Sequence, residues 1–314
     1  MSEPPSGAAP VAYTDAAGVF PTIARGVEER RVIKDVSWST RTAAGGGSGG
    51  GGSGSGTHTV PELPLRWLPD SHEAFRGTLT VEQWHRAPYA HVFLLAAETR
   101  DAYAAGPRAP LRAWIEDAVA RGHEWLVLYL PGAGVAATRD AGAAARAYAK
   151  VEERVRGDMP ARREASRVVR LDIAGGVGVE PRAQWAELLS RLLLCVSAAL
   201  SARCVAYSEE VRRRWDVKDV PGWNFCGYFC VREALAFVYV QGQVPEEALR
   251  CVARAPACRG GCRRRVHAPA GTTMNWRSSL CPCARAAATR FRWGTRRFRS
   301  ARSTPRACWR CRLL

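Results

Sequence analysis

The chain has 314 residues, 47% of them hydrophobic, 24% charged and 9% aromatic, a globular composition that excludes wholesale disorder and suggests about two domains. The formal net charge of +17, from 46 basic and 29 acidic residues, points at first to nucleic acid or an anionic membrane. Residues 251–314 hold sixteen arginines and no Asp or Glu, so residues 1–250 keep 30 basic against 29 acidic residues and are nearly neutral. The longest apolar stretch, Leu192 to Leu200, falls short of a membrane span. Met1-Ser2-Glu3-Pro4-Pro5 has neither a basic start nor an apolar run behind it, so no secretory signal is expected.

In chain order, Val32 to Trp38 alternates apolar and polar residues like a strand. Residues 43–57 form a Gly/Ser-rich loop inside a domain, because Gly and Ser bury nothing and no boundary is needed there. The pattern then becomes α/β. His91 to Ala96 is an apolar run suited to a buried strand, and Leu111, Trp114, Ile115, Ala118 and Val119 form one helical stripe ended by Gly122. Trp125 to Leu130 is a second buried strand, Ala141 to Arg156 a helix, and Arg167 to Ile173 a third strand. Three strands make a small, mostly parallel sheet domain with flanking helices, over residues 1–180.

Residues 181–250 read as α-helical, the start of a solenoid. Trp185, Leu188, Leu189, Leu192, Leu193, Val196, Ala199 and Leu200 keep helical spacing over four turns. A second helix opens at Pro221 and is apolar on nearly every face to Val240, broken only by Asn224 and the Arg232–Glu233 pair, so it must be covered on several sides. After the Gln241-Gly242-Gln243-Val244 turn, Pro245 begins a third helix, resembling a tetratricopeptide-type hairpin.

The tail, 251–314, holds seven of the eleven cysteines and sustains no apolar period. It reads as a basic arm, as a zinc module built from Cys258, Cys262, His267, Cys281, Cys283, Cys308 and Cys311, or as a sequence translated out of frame. The cysteine spacings all differ, against a zinc site, and the reading adopted is an irregular tail, disordered or non-native.

Candidate chemistry is sparse. Gly132-Ala133-Gly134-Val135-Ala136-Ala137 follows a strand and fits the loose G-x-G-x-x-A form of a phosphate-cradling loop, but the acidic partner, Asp172, lies nearly twice the required distance away. His123-Glu124 lacks a second zinc-binding histidine, no Ser sits in a nucleophile elbow, and no Cys has a nearby activating His. Cys226 and Cys230 share a helical face, as half a metal site or, more simply, as small buried hydrophobes. Eight of the eleven tryptophans lie in 1–250, as core anchors or interface anchors.

Pro221-Gly222-Trp223-Asn224-Phe225-Cys226, followed by Tyr228-Phe229, Arg232-Glu233 and Ala234-Leu235-Ala236, resembles the signature segment of the large TRAPP II-specific subunit of the transport protein particle, the subunit ten family. Val19-Phe20-Pro21, Pro88-Tyr89-Ala90-His91-Val92-Phe93-Leu94, Glu124-Trp125-Leu126-Val127 and Pro245 to Leu249 resemble further family segments in the same order. The resemblance covers roughly residues 10–250 and only the amino-terminal part of a longer family protein, and the acid-free tail departs from the family pattern, as a frame or gene-model error would. It implies a non-catalytic scaffold subunit of a vesicle-tethering complex whose core is a guanine-nucleotide exchange factor for Rab GTPases. The implied partners are other TRAPP subunits, with Rab-type GTPases met through the assembled complex. The implied location is cytoplasmic and peripheral at the Golgi and trans-Golgi network, with no cofactor and no direct nucleic acid. Outside the resemblance, the alternatives are a nucleic-acid-binding protein acting through the tail and a nucleotide-binding α/β enzyme using Gly132 and Gly134.

Overall fold

A computed structural model describes residues 8–40, 56–75, 79–132, 141–160, 162–172 and 182–253. Within the unit that ends at Arg254, the chain runs β1 (Ala9–Thr14), α1 (Phe20–Glu29), β2 (Val32–Ser39), β3 (Thr57–Pro69), β4 (Ala90–Leu95), α2 (Arg100–Ala105), α3 (Arg108–Ala120) and β5 (Trp125–Tyr129). It continues through α4 (Ala141–Gly157), β6 (Val168–Arg170), α5 (Arg182–Asp216), α6 (Phe225–Gln241) and α7 (Pro245–Ala253), with a 3-10 turn at Val81–Arg86.

The sheet has six strands in the order β2-β3-β1-β4-β5-β6, parallel throughout except for β2 against β3. This corrects the count of three: β1 and β3 were not foreseen, and the Val32–Trp38 strand belongs to the same sheet. Both carry prolines that argue against strands. The geometry of β3 resolves the conflict. Its first half pairs only with β2, from Thr57↔Ser39 to Pro64↔Val32, and its second half pairs with β1, from Leu65↔Ala9 to Pro69↔Tyr13. Pro61 and Pro64 therefore lie where β3 has a single neighbour and the missing N–H interrupts no second ladder. Beside them, Asp35 on β2 drops out of register with φ +54°.

Two clusters of buried side chains cover the two sheet faces, as strand alternation requires. Phe93, Leu95, Trp125, Val127 and Tyr129 meet Tyr103, Leu111, Ile115, Val151 and Val155 from α2, α3 and α4. Val92, Leu94, Leu126 and Leu128 face the other way, into a larger cluster with α1, α5 and α6. The result is a three-layer α/β/α arrangement. Gly26 and Gly242 mark its tightest contacts: a Cβ at Gly26 would fall inside the Trp185 indole, and one at Gly242 inside that of Trp38.

Several element boundaries differ from expectation. α5 runs 35 residues to Asp216 rather than ending near Leu200, because its buried stripe continues through Leu200, Cys204, Tyr207 and Glu210. Its serines hide that stripe by bonding back to the helix, Ser201 Oγ to the Ser197 carbonyl (2.9 Å) and Ser208 Oγ to that of Cys204 (2.7 Å). By length and composition α5 is apolar enough to cross a membrane, yet its apolar stripe is in the core. α6 begins at Phe225 rather than Pro221, and β6 is shorter than the expected strand, although Leu171 N still bonds to the Tyr129 carbonyl (2.9 Å). α7 runs on to Ala253, three residues into the expected irregular tail, and the tail beyond it lies outside the described residues.

Candidate docking surface

The strand motifs turn out to be clamps between sheet and helices. Pro88 and Tyr89 are buried just before β4. The Arg203 guanidinium, from α5, lies 3.9 Å above the Tyr89 ring and donates to the Pro88 carbonyl, while the Tyr89 hydroxyl donates to Gln241 Oε1 at the end of α6. His91 stacks on His123 at 4.3 Å, and Phe93 meets the edge of Trp114 at 5.4 Å. Glu124 pairs with Arg167 (3.0 Å), whose guanidinium also covers the Trp125 ring at 5.1 Å. Burial holds the His91 imidazole down to about 3 and that of His85, in the 3-10 turn, down to about 4. Both rings are therefore neutral at neutral pH.

The segment at 221–236 starts as a turn. Pro221 and Gly222 are exposed, and Gly222 takes φ +86°, a conformation a side chain disfavours. Asn224 then caps α6, its side chain accepting from Gly227 N at 2.9 Å. Trp223 is fixed by its indole N–H to the Arg214 carbonyl (2.8 Å). Around it gathers an aromatic cluster: Trp215 at 6.2 Å, Tyr228 at 5.5 Å and Phe225 at 5.9 Å, with Phe229 stacked on Phe225 at 6.2 Å. Lys218 sits 5.0 Å over Trp215, and Val217 and Val220 beside it are exposed, 48% and 58%. Trp215, absent from the signature segment, lies one turn past Val211, which packs against the larger cluster.

α6 is covered where Tyr228, Val231, Arg232, Ala234, Leu235, Ala236, Val238 and Tyr239 are buried. Arg232 and Glu233 do not pair with each other. Arg232 reaches the carbonyls of Arg250 and Cys251 at the end of α7, as cations do at helix C-termini. Glu233 lies on the half-buried side with Cys226, Phe229, Cys230, Phe237 and Val240, and burial alone raises its carboxyl above the ordinary range. Below it, Glu210 joins Arg213 (2.7 Å) and Arg214 (2.5 Å), and Arg214 also pairs with Glu82 (2.9 Å), tying the end of α5 to the 3-10 turn.

The other sequence candidates fare differently. Residues 133–140, with Gly134, lie outside the described residues, as do the cysteines of the tail beyond Cys251. Asp172 is engaged by Arg170 (2.7 Å) and Gln184 (2.8 Å). The β1/β4 switch point, where doubly wound sheets take ligands, is already filled. Asp15 accepts from Val19 N (2.9 Å) and Phe20 N (2.8 Å) at the start of α1, Tyr13 stacks on Phe20 at 3.9 Å, and Trp114 donates to Thr14 (3.0 Å). Among the described residues no three His, Cys, Asp or Glu side chains gather as a metal site. Cys226 and Cys230 are half-buried on α6. A shallow cleft of about 250 Å³ between β2 and α5 is lined by Ser37, Trp38, Ser39, Thr57, Ser197, Ala198 and Ser201, with no titratable group.

Residues 7–216 match the family model described as trafficking protein particle complex subunit 10-like, N-terminal. The chain is 27% identical over 195 residues to the trafficking protein particle complex II-specific subunit 130 homolog of Oryza sativa subsp. japonica, covering 61% of this chain and 15% of that protein. It is 24% identical to the Arabidopsis thaliana homolog of the same name and 20% identical to trafficking protein particle complex subunit 10 of Dictyostelium discoideum, each over 76% of this chain and 17% of the relative. The chain thus spans about one-sixth of the length of the curated relatives it matches.

Proposed function

This chain belongs to the trafficking protein particle complex subunit 10 family, and from that membership we propose that it is a non-catalytic scaffold subunit of the TRAPP II complex. Its role is to hold other subunits together by protein–protein surfaces, so that the assembled complex tethers vesicles and exchanges nucleotide on Rab-type GTPases in Golgi and endosomal traffic. On this reading it is cytoplasmic and reaches membranes only through the complex.

The observation that carries the reading is the aromatic cluster of Trp215, Trp223, Tyr228, Phe225 and Phe229, flanked by exposed Val217 and Val220. Rigid aromatic side chains beside exposed aliphatic ones are what interface anchors are made of. The test is reconstitution with the other purified subunits. The expected result is co-elution of this chain with them at micromolar concentration. A chain that elutes alone under those conditions refutes the role.

A further inference from the structure

The half-buried side of α6 is a seam. Cys226, Phe229 or Cys230, Glu233, Phe237 and Val240 follow one another at steps of three or four residues, the spacing by which one helix packs along another. Every residue in that row is apolar except Glu233, and no described residue pairs with its carboxylate. Its neighbours do not supply a cation: Arg232 turns to the end of α7, Arg214 is held by Glu82 and Glu210, and His85 is neutral against Phe237.

We propose that this seam receives a helix from another subunit of the complex, an amphipathic one that carries a single arginine or lysine in its apolar stripe and sets that cation against Glu233. The proposal rests on the scaffold reading above. Charge selects the occupant. A carboxylate in the middle of an apolar row is costly when covered unpaired, so whatever covers it must bring a positive charge, and one polar residue in a seam fixes its register. A second copy of this chain packed symmetrically would set Glu233 against Glu233. The arginine-rich segment 254–314 offers cations but no apolar stripe of matching period.

The experiment uses the full chain and the purified remaining subunits, with affinity read by sedimentation. Glu233→Lys is expected to weaken co-assembly about tenfold, and Glu233→Gln less, by about threefold. Glu233→Gln should also raise the melting temperature of the chain alone, since it removes an unpaired half-buried charge, which separates a binding defect from a folding one. A photo-crosslinking residue at Phe229 should label a partner peptide with a basic residue among apolar ones at helical spacing. Unchanged affinity in both variants, or labelling confined to residues 254–314 or to a second copy, overturns the proposal and leaves the scaffold reading standing. Failure of the unaltered chain to join the other subunits overturns both.

Discussion

Mild acid should weaken this fold through two histidines. His85 and His91 have native pKa values of about 4 and about 3, first from burial, then from the positive charges of Arg86 and Arg203 at His85 and of His123, Arg203 and Arg121 at His91. Neither His85 Nδ1 nor His91 Nε2 has a hydrogen-bond partner among the described residues. Unfolded, both return to about 6.5. Below that pH the unfolded chain takes up protons that the native state refuses, so stability falls from about pH 6.5 until the native values are reached. Between pH 7 and pH 5.5 each ring costs about 1.2 kcal/mol by this linkage. Solvent screening at their open edges brings the pair to about 2 kcal/mol. His123, also lowered, acts in the same direction. Asp158 and Glu210, held low by their arginines, give up their contributions only below the ordinary carboxylate range, whereas Glu233, held high, opposes the trend. With a urea dependence of about 3 kcal/mol per molar, the midpoint should drop by roughly 0.7 M. Tryptophan fluorescence reads it. The double variant H85Q/H91Q should lose most of the difference between the two pH values. Equal midpoints at pH 7 and pH 5.5, or an undiminished difference in the variant, would refute the reasoning.

Three other outcomes follow from the packing. Gly242→Ala forces a methyl group into the Trp38 indole and should destabilise by about 1–3 kcal/mol, seen as a lower urea midpoint. Tyr89→Phe strands the buried Gln241 oxygen, a loss of about 1–3 kcal/mol that calorimetry should detect as a lower melting temperature. Val217→Asp with Val220→Asp alters exposed side chains, so stability should stay within about 0.5 kcal/mol while co-elution with the other subunits weakens. Intact co-elution would remove this edge from the docking surface.

What the sequence displayed, and what it hid, follows from how many neighbours each element has. β4 and β5 are covered on both faces and paired on both edges, so they read as unbroken apolar runs, and α3 keeps one clean stripe. β3 stayed invisible because its partner changes at Leu65, which lets prolines sit where a uniform strand would reject them. The segment at 221–236 stood out for its Trp, Asn and Cys, but not for its geometry. Pro221-Gly222 is a turn signal in its own right, but Pro also suits a first helical position, and that reading placed the helix start four residues early. Nothing in the letters indicated that Arg232 and Glu233 part company. Arg203 was silent too, since a buried arginine resting on a tyrosine looks in sequence like any surface cation.

α5 outlasts the sheet it covers. Its last bonds to the sheet side are those of Ser201 to Ser39 and Arg203 to Pro88. The helix then continues to Asp216, about 20 Å at 1.5 Å per residue, where it meets the 3-10 turn, Trp223 in the turn before α6, and α6 itself. That overhang works as a bracket. On the scaffold reading proposed above, a partner gripping its tip beside Trp215 would sit beyond the last bonds to the strands, and would not need to cover, pry open or repack the layered body behind it.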